Sequence, residues 1–476
     1  MTRLIIGAMV RTIGAHPSGW RYPGAHRDPR RDAAALRRTA QLAEAARLDY
    51  LFFGDRRAEM PGLGYLEPHL VARVDSLSAA TYLAGATERI GLVSTANTDH
   101  ADPYAIARHT AAADLLTDGR AGINLVVESE AHVDFRDHAT DTAIAARYSR
   151  ADEFETVLRR LWDSFDDDAI TADAATGEFV DPGKVHGPAF RGIHFTATRP
   201  LDVIRPVQGH LPVFHSGSSP RSRLVAALNA DVALVAVRGR RQAAALREEL
   251  RSLAFESGRD DRTLRVVTPV LPIVGETIEH AQQIADELSS LIRVAEDWPD
   301  GPPAGFPANR SLDALARLVG VALDRHAPDD AVTPQLASRF TTAGQELVEL
   351  VAHRTGRVAG SEEPPTLRHL VAAASIDLLT FVGTGEQIAS EFAEWADAGA
   401  VDGFNVLSAT NPSQFEAFTR SVVPELQRLG VFPTTYEGET LRDHLGLARP
   451  DNVHRSVGDP RFPPVYGRGV PAASGR

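Results

Sequence analysis

Short apolar runs alternate with longer amphipathic stretches along most of the chain. A short apolar run predicts a buried strand, and an apolar residue every three to four positions predicts a helix that covers one face of a sheet. Repetition of this pair is typical of a parallel sheet in the α/β class. The predicted strands are Leu4–Val10, Tyr50–Gly54, Ile90–Ala96, Ala121–Val127, Pro212–Ser216, Val232–Val237, Val266–Val274 and Gly403–Leu407. These eight strands predict a (β/α)8 barrel, the TIM-barrel fold.

Several helices between the strands have predictable ends. Asp102 and Ser219 each stand directly before a proline, which is the pattern of an N-cap followed by proline in the first turn. Thr384 and Gln387 have the spacing of a capping box, and Gly399 is placed to end the same helix. We therefore expect helices that begin at these three points.

Two stretches interrupt the alternation. Residues 166–210 are rich in Asp, Gly and Pro, and residues 297–380 begin with a Pro/Gly-rich string before becoming helical. We interpret both as insertions in βα loops of a single barrel domain that spans residues 1–450, with the longer one near the C-terminal face. The chain after about residue 430 has little periodicity, so we expect it to wrap the surface or to reach a neighbouring subunit. Residues 451–476 are interpreted as a C-terminal tail.

Composition narrows the classes of function. The chain has 476 residues, a net charge of -13 and no cysteine. The negative charge argues against nucleic acid and anionic membranes as partners, and the lack of cysteine excludes disulfides, thiolate nucleophiles and cysteine-ligated metals. The apolar run at Met1–Arg11 is too short for a signal peptide, so a cytoplasmic protein is expected. Any redox chemistry then requires a bound cofactor.

Common catalytic motifs are missing. The histidines lack the close helical spacing of a metal pair, so we expect no metal site. Gly217-Ser-Ser-Pro220 has no closing glycine, which argues against a serine hydrolase. Gly383-Thr-Gly385 opens a predicted helix, but Ile388 stands where a dinucleotide fingerprint needs its third glycine. The sequence therefore offers no nicotinamide site.

Polar residues follow the predicted strands, where parallel barrels bind their ligands. The clearest string is His215-Ser-Gly-Ser-Ser-Pro220, in which a glycine, two hydroxyls and a helix N-terminus suit a phosphate monoester. Taken alone, the string fits an ordinary βα turn with a serine cap better. The candidate residues beyond the strands are Arg11–His16, Asp55, Thr95–Thr98, Glu128, His215–Ser219, Arg238 and Ser408.

The strings along the chain resemble one branch of a known family over almost its whole length. The chain is similar to the nitrilotriacetate monooxygenase and dibenzothiophene-sulfone monooxygenase branch of the luciferase-like flavin-dependent monooxygenases. The strings that carry the resemblance include Gly14-Ala-His16 with Trp20-Arg21, Phe52-Phe-Gly-Asp55, Thr87-Glu-Arg-Ile-Gly-Leu-Val-Ser-Thr95, Arg147-Tyr148, Asp181-Pro-Gly-Lys-Val-His186, Gly217-Ser-Ser219, Asp402-Gly-Phe-Asn405 and Tyr436-Glu-Gly-Glu-Thr-Leu-Arg-Asp-His-Leu-Gly446.

The resemblance implies a two-component monooxygenase. Such an enzyme takes reduced FMN from a separate, transiently bound flavin reductase and uses O2 to oxygenate a small organic substrate. A homodimer or homotetramer is expected. The implied cofactor-binding residues are Asp55, Thr95, Asn97 and Asn124 along the isoalloxazine and ribityl chain, with Tyr148, Gly217, Ser218 and Ser219 at the phosphate. The candidate catalytic residues are His16, as a proton or hydrogen-bond donor, and Glu128, as a base.

The sequence departs from the branch at two places. On strand four the usual Trp-Asn-x-Val-Thr-Ser is Ile123-Asn-Leu-Val-Val127-Glu128, and the usual His-Asp-Glu-Arg-Tyr is Ile144-Ala-Ala-Arg-Tyr148. Lost donors and a new carboxylate weaken flavin binding by about 1–3 kcal/mol if those groups contact it. Unless Glu128 points into solvent, we expect it to pair with an arginine such as Arg11 or Arg238, or to face the substrate.

Two other functions stay open from the sequence. One is a deazaflavin-dependent hydride-transfer enzyme of the same superfamily, against which the insertions and the C-terminal string argue. The other is a flavin-binding partner subunit that has lost catalysis, which the departures at Val127, Glu128 and 144–146 support.

Overall fold

The computed structural model describes residues 3–55, 65, 68, 73–127, 141–217 and 219–454. In this part of the chain no helix is long and apolar enough to cross a membrane. The strands are β1 (Ile5–Met9), β2 (Tyr50–Phe52), β3 (Gly91–Asn97), β4 (Ala121–Val126), β5 (Ile170–Asp173), β6 (Glu178–Val180), β7 (Phe190–Arg191), β8 (Thr196–Ala197), β9 (Val213–Ser216), β10 (Val232–Leu234), β11 (Arg265–Val274), β12 (Leu379–Gly383) and β13 (Gly403–Leu407).

Eight parallel strands close into a barrel. The hydrogen-bonded order is β1, β2, β3, β4, β9, β10, β11 and β13, and β13 pairs with β1 to complete the ring. These strands are the eight that the periodicity predicts, with shorter ends at β2 and β10. The predicted (β/α)8 barrel is confirmed.

A ninth parallel strand, β12, was not predicted. The first half of β11 pairs with β13 at Val267 and Gly403, while its second half pairs with β12 at Val270 and Leu379. Because β11 is ten residues long, it extends beyond the barrel rim and leaves an edge that β12 covers. The sequence of β12 is a short apolar run, but its pairing partner lies more than a hundred residues away, so local periodicity does not predict the pairing.

The helices surround the barrel and form the longer insertion. They are α1 (Asp32–Ala45), α2 (Ser76–Ala84), α3 (Pro103–Leu116), α4 (Asp141–Trp162), α5 (Pro220–Asn229), α6 (Arg240–Glu256), α7 (Ile278–Ser290), α8 (Leu312–Val319), α9 (Pro334–Ala337), α10 (Thr342–Thr355), α11 (Leu367–Ser375), α12 (Gly385–Asp397), α13 (Ser413–Ala417), α14 (Val423–Arg428) and α15 (Leu441–His444). A π-helical turn, Phe418–Val422, joins α13 to α14.

The predicted helix starts are confirmed. The Asp102 side chain accepts a hydrogen bond from the Ala105 backbone N–H at 2.9 Å, at the start of α3. At α12, the Thr384 hydroxyl accepts from the Gln387 N–H while the Gln387 side chain accepts from the Thr384 N–H. Each cap satisfies backbone donors that the first turn of a helix leaves without partners.

The interrupting stretches have their own architecture. Residues 166–210 contain two antiparallel pairs, β5–β6 and β7–β8. The longer insertion lies between β11 and α12, and α8, α10 and α11 bury a separate apolar cluster that includes Leu312, Leu347 and Leu370. Tyr65, in the segment after β2, packs against Trp298 and Phe306 of this insertion. The insertion therefore reaches the C-terminal side of the barrel.

Residues 441–447 pack into the barrel and do not wrap its surface loosely. Leu441, Leu445 and Leu447 pack with Ile5, Tyr50 and Val232, which begin their strands, so they close the N-terminal floor of the barrel. A Cβ at Gly91 would lie 2.5 Å from a Leu441 methyl group, which shows how closely this leucine enters the barrel. For these residues the expected surface wrapping is wrong, because their apolar side chains fill space that the barrel's own short strands leave open.

Substitution of Leu441 tests whether the three leucines that close the barrel floor stabilise the fold. Replacement by alanine should lower the free energy of unfolding by about 2–5 kcal/mol, because it removes a fully buried side chain and leaves a cavity. Urea denaturation followed by circular dichroism measures the change. Leu116→Ala, on an exposed part of α3, is the control and should change stability by less than about 0.5 kcal/mol. Equal effects of the two substitutions would contradict a stabilising role of Leu441 at the barrel floor.

Candidate active site

The C-terminal ends of β1, β2, β4 and β9 open into a cavity of about 520 Å³. Its wall is mostly apolar, with Phe52 and Phe53 among the lining residues. Polar side chains enter it from four strands or the residues after them. They are Arg11, Asp55, Asn124 and Ser216. An apolar cavity with a few converging polar groups is the usual form of a cofactor site at this end of a barrel.

A chain of hydrogen bonds crosses four neighbouring strands beside the cavity. The Ser216 hydroxyl donates to Asn124 Oδ1 at 3.0 Å, and Asn124 Nδ2 donates to Thr95 Oγ1 at 3.2 Å. The Thr95 hydroxyl then donates to the carbonyl of Phe53 at 2.8 Å. Thr95 and Asn124 lie within strands whose register is set by the barrel, so these hydrogen bonds fix the direction of the Asn124 amide.

The two predicted cofactor residues on β3, Thr95 and Asn97, both have hydrogen-bond partners within the protein. The hydroxyl of Thr95 is buried and engaged by Phe53 and Asn124, so it supports the site from below. The Asn97 side chain accepts from the Asp99 N–H at 2.8 Å and shapes the turn after β3. Their direct contact with a flavin stays a prediction.

Asp55 lies in the cavity wall, as the sequence predicts. Arg73 pairs with it at 3.4 Å, and the Ser76 N–H lies 3.4 Å from its other oxygen. The Ser76 hydroxyl also donates to the Thr95 carbonyl at 2.8 Å, so the start of α2 is tied to β3. The sequence reasoning missed Arg73 and Ser76, which are not adjacent to any predicted strand.

The turn after β9 has the form expected of an anion site. The Ser219 hydroxyl accepts from the Ser222 N–H at 3.2 Å and caps α5, while Tyr148 Oη lies 3.4 Å from it. A Cβ at Gly217 would lie only 1.9 Å from the Ser222 hydroxyl, so this position admits only glycine without movement. Ser218 lies outside the described residues. The structure thus brings Gly217, Ser219 and Tyr148 together.

Two further residues support this turn. His215 Nε2 lies 2.8 Å from the Ser222 hydroxyl and holds it in place. The Arg221 guanidinium lies 5.5 Å from the centre of the Tyr148 ring, so a positive charge accompanies the helix N-terminus. Sequence reasoning missed Arg221, although its place two residues into α5 is a usable signal. The turn has a glycine, hydroxyl groups, a helix N-terminus and a nearby positive charge, a combination that suits a phosphate monoester.

His16 is buried and neutral. Its Nδ1 lies 2.8 Å from the Ser18 hydroxyl, which in turn donates to the Leu288 carbonyl. Burial first, and then the charges of Arg310 and Arg354, lower the pKa of His16 to about 3. It therefore carries no proton to give as an imidazolium near neutral pH. Among the described residues that line the cavity His16 is absent, and its catalytic role stays a prediction.

Glu128 lies outside the described residues, so its predicted role as a base stays a prediction. Of its two expected partners, Arg11 lines the cavity. The Arg238 side chain is 86% exposed and lies 3.5 Å from Asp377.

Comparisons with known proteins agree with this geometry. The sequence model of the family described as Luciferase-like monooxygenase matches residues 12–402. Nitrilotriacetate monooxygenase component A from Aminobacter aminovorans is 34% identical, over 94% of this chain and 97% of its own. N-acetyl-S-(2-succino)cysteine monooxygenase from Bacillus subtilis (strain 168) is 32% identical over the same shares. The solved EDTA monooxygenase from Chelativorans sp. BNC1 superposes with a TM-score of 0.70 and 25% identity, over 94% of this chain and 99% of that one.

His215 predicts a pH dependence of stability. Burial lowers its pKa to about 4, whereas the unfolded chain has a histidine pKa near 6.5. Below about pH 6.5 the unfolded state therefore binds a proton that the folded state does not, and stability falls as the pH drops towards 4. This one group should remove about 2 kcal/mol between pH 7 and pH 5.

Urea unfolding at the two pH values measures this contribution. His215→Asn should show a smaller loss of stability between pH 7 and pH 5 than the wild type. The exposed His353→Asn is the control and should keep the wild-type difference. An unchanged difference in His215→Asn would show that His215 does not titrate as a buried group.

Proposed function

Because the chain belongs to the luciferase-like monooxygenase family, we propose that it is a two-component monooxygenase that uses reduced FMN and O2 to oxygenate a small organic molecule. Membership of this family makes the chain a monooxygenase. The identity of the cofactor, the need for a reductase and the class of substrate are what we propose. The observation that carries it is the hydrogen-bond chain from Ser216 through Asn124 to Thr95, which joins the anion turn after β9 to the wall of the cavity.

The residues present fit FMN. Gly217, Ser219 and Tyr148, with the start of α5, suit the phosphate, and Ser218 is placed by sequence in the same turn. Asn124 and Ser216 present polar atoms to the cavity, where Asp55 also lies. We assign the ring and ribityl chain to these residues, with Thr95 and Asn97 as support. When bound, reduced FMN supplies the electrons that activate O2.

The chain's own residues would exclude water from the reaction. Phe52 and Phe53 provide an apolar wall, and Pro68 completes it from the segment that also carries Tyr65. The backbone N–H of Tyr65 donates to the Ala304 carbonyl at 3.0 Å, so Tyr65 is tied to the longer insertion. Exclusion of water by these residues would favour oxygenation of the substrate over unproductive consumption of O2.

Two residues, His16 and Glu128, are the candidates for handling protons. A neutral His16 donates or accepts a hydrogen bond instead of delivering a proton as a cation. Glu128 then remains the candidate acid–base group.

We propose a heteroatom-bearing organic substrate, a transient flavin reductase partner and a homodimer or homotetramer.

Dependence on an external reductase is a direct consequence. Purified protein given NADH, oxidised FMN and a candidate substrate should show almost no NADH oxidation, because the sequence offers no nicotinamide site. Addition of a flavin reductase should start product formation. Chromatography measures the loss of substrate and the appearance of product. Sustained turnover without the reductase would contradict the two-component proposal.

The phosphate site gives a second test. Ser218→Ala combined with Ser219→Ala should weaken FMN by about 10- to 100-fold and riboflavin by much less, since only FMN has the phosphate. Fluorescence titration of both flavins measures the ratio. Ser257→Ala, at the exposed end of α6, is the matched control and should change neither affinity. Equal weakening of FMN and riboflavin would place the phosphate elsewhere.

A further inference from the structure

Arg11 lies two residues beyond the end of β1 and lines the cavity. Its backbone is fixed, because its carbonyl accepts from the Gly14 N–H at 3.0 Å and lies 3.4 Å from the Asn411 side-chain nitrogen. Its side chain is partly buried. Among the described residues, no carboxylate or hydrogen-bond acceptor pairs with its guanidinium, and only the like charge of Arg73 acts on it.

The carboxylates in the cavity wall already have partners. Asp55 lies 3.4 Å from Arg73, and Asp32 lies 2.7 Å from His26. Burial, and then the charge of Arg73, lower the pKa of Arg11 to about 10, so it still carries its charge at neutral pH. A partly desolvated guanidinium without a counter-charge is costly, and a bound anion relieves that cost.

Arg11 also lies on the side of the barrel mouth away from the phosphate turn. The strands between them follow the order β9, β4, β3, β2, β1. The turn after β9 and Arg11, just beyond β1, are thus separated by four strand spacings of about 4.8 Å each, measured around the ring. The phosphate of a flavin held at the turn does not serve as the counter-charge of Arg11.

The surroundings of Arg11 suit an organic molecule. Trp20 and Phe52 line the same cavity and offer aromatic surface to a hydrocarbon portion. Arg27, also in the cavity wall, is exposed and adds positive charge nearer to solvent. A guanidinium forms two parallel hydrogen bonds with a carboxylate, which matches shape as well as charge.

We propose that Arg11 determines substrate specificity by binding a carboxylate of an anionic substrate, while Trp20 and Phe52 contact its hydrocarbon part. This inference rests on the proposed function, because it assigns to the substrate the part of the cavity that the flavin phosphate site does not reach. The substrate class is therefore a small organic acid.

Two isosteric pairs of compounds test the inference: benzoate with benzamide, and succinate with succinamide. Anaerobic calorimetry on protein saturated with reduced FMN measures the four affinities in the wild type and in Arg11→Gln. In at least one pair the wild type should bind the acid about 10- to 100-fold tighter than the amide, as for a hydrogen-bonded ion pair. Arg11→Gln should lose this preference and keep the amide affinity. Arg238→Gln, which changes an exposed arginine, should behave as the wild type.

Several outcomes would overturn the inference. They are equal binding of acid and amide by the wild type, no binding of either compound, or an acid preference that persists in Arg11→Gln. A loss of reduced-FMN affinity in Arg11→Gln as large as its loss of acid affinity would make Arg11 a flavin residue. Acid binding that appears only in Glu128→Gln would show that Glu128 occupies Arg11.

The same titrations separate this inference from the proposed function. Failure of the wild type to bind reduced FMN would overturn the proposed function. Binding of reduced FMN without an acid preference would overturn only the role of Arg11. Thermal unfolding of Arg11→Gln should occur at the temperature of the wild type or above it, because the substitution removes a desolvated charge and takes no partner from any described residue.

Discussion

The closure of the parallel barrel is the constraint on which the site depends. Backbone hydrogen bonds run without a break from β1 through β4 and β9 to β13 and back, so the register of each strand is fixed by two neighbours. Thr95 pairs with Asn124 in the register of β3 and β4. A shift of one residue in either strand would turn the two side chains to opposite faces of the sheet and break the hydrogen-bond chain beside the cavity.

The two ends of the barrel interior differ: apolar side chains fill the N-terminal floor, and hydrogen-bonded polar side chains lie at the C-terminal mouth. At the N-terminal floor, Leu441 and its neighbours fill the space with apolar side chains that arrive from the far end of the chain. At the C-terminal mouth, buried polar atoms are tolerated because Asn124, Thr95 and Ser216 satisfy one another. Dense packing below and satisfied polar groups above give a rigid wall, and rigidity is what orients a bound cofactor.

Local signals in the sequence predict much of this arrangement. Strand periodicity places Asp55 at a strand end, the family resemblance indicates Asn124, and the Ser219-Pro220 cap predicts the start of α5. Contacts between distant segments carry no local signal. The pairing of β12 with β11 and the entry of Leu441 into the barrel floor both depend on residues far apart in sequence, so neither is predicted.

The same distinction applies within the site. The family resemblance implies that Thr95 lies along the flavin, and the structure adds that its hydroxyl is engaged by the Phe53 carbonyl and Asn124, partners that a position on a strand does not reveal. Arg11 stands among the strand-end residues in the sequence. The structure adds that Asp55 and Asp32 are paired elsewhere, so that no carboxylate in the described part of the chain pairs with the Arg11 guanidinium.

The central claim is that the cavity and the turn after β9 form a site for reduced FMN. Anaerobic spectral titration of the purified protein with reduced FMN, oxidised FMN and a reduced deazaflavin tests it most directly. The account predicts saturable binding of reduced FMN that is tighter than binding of the other two flavins. Preference for the deazaflavin, or no binding of reduced FMN, would contradict it.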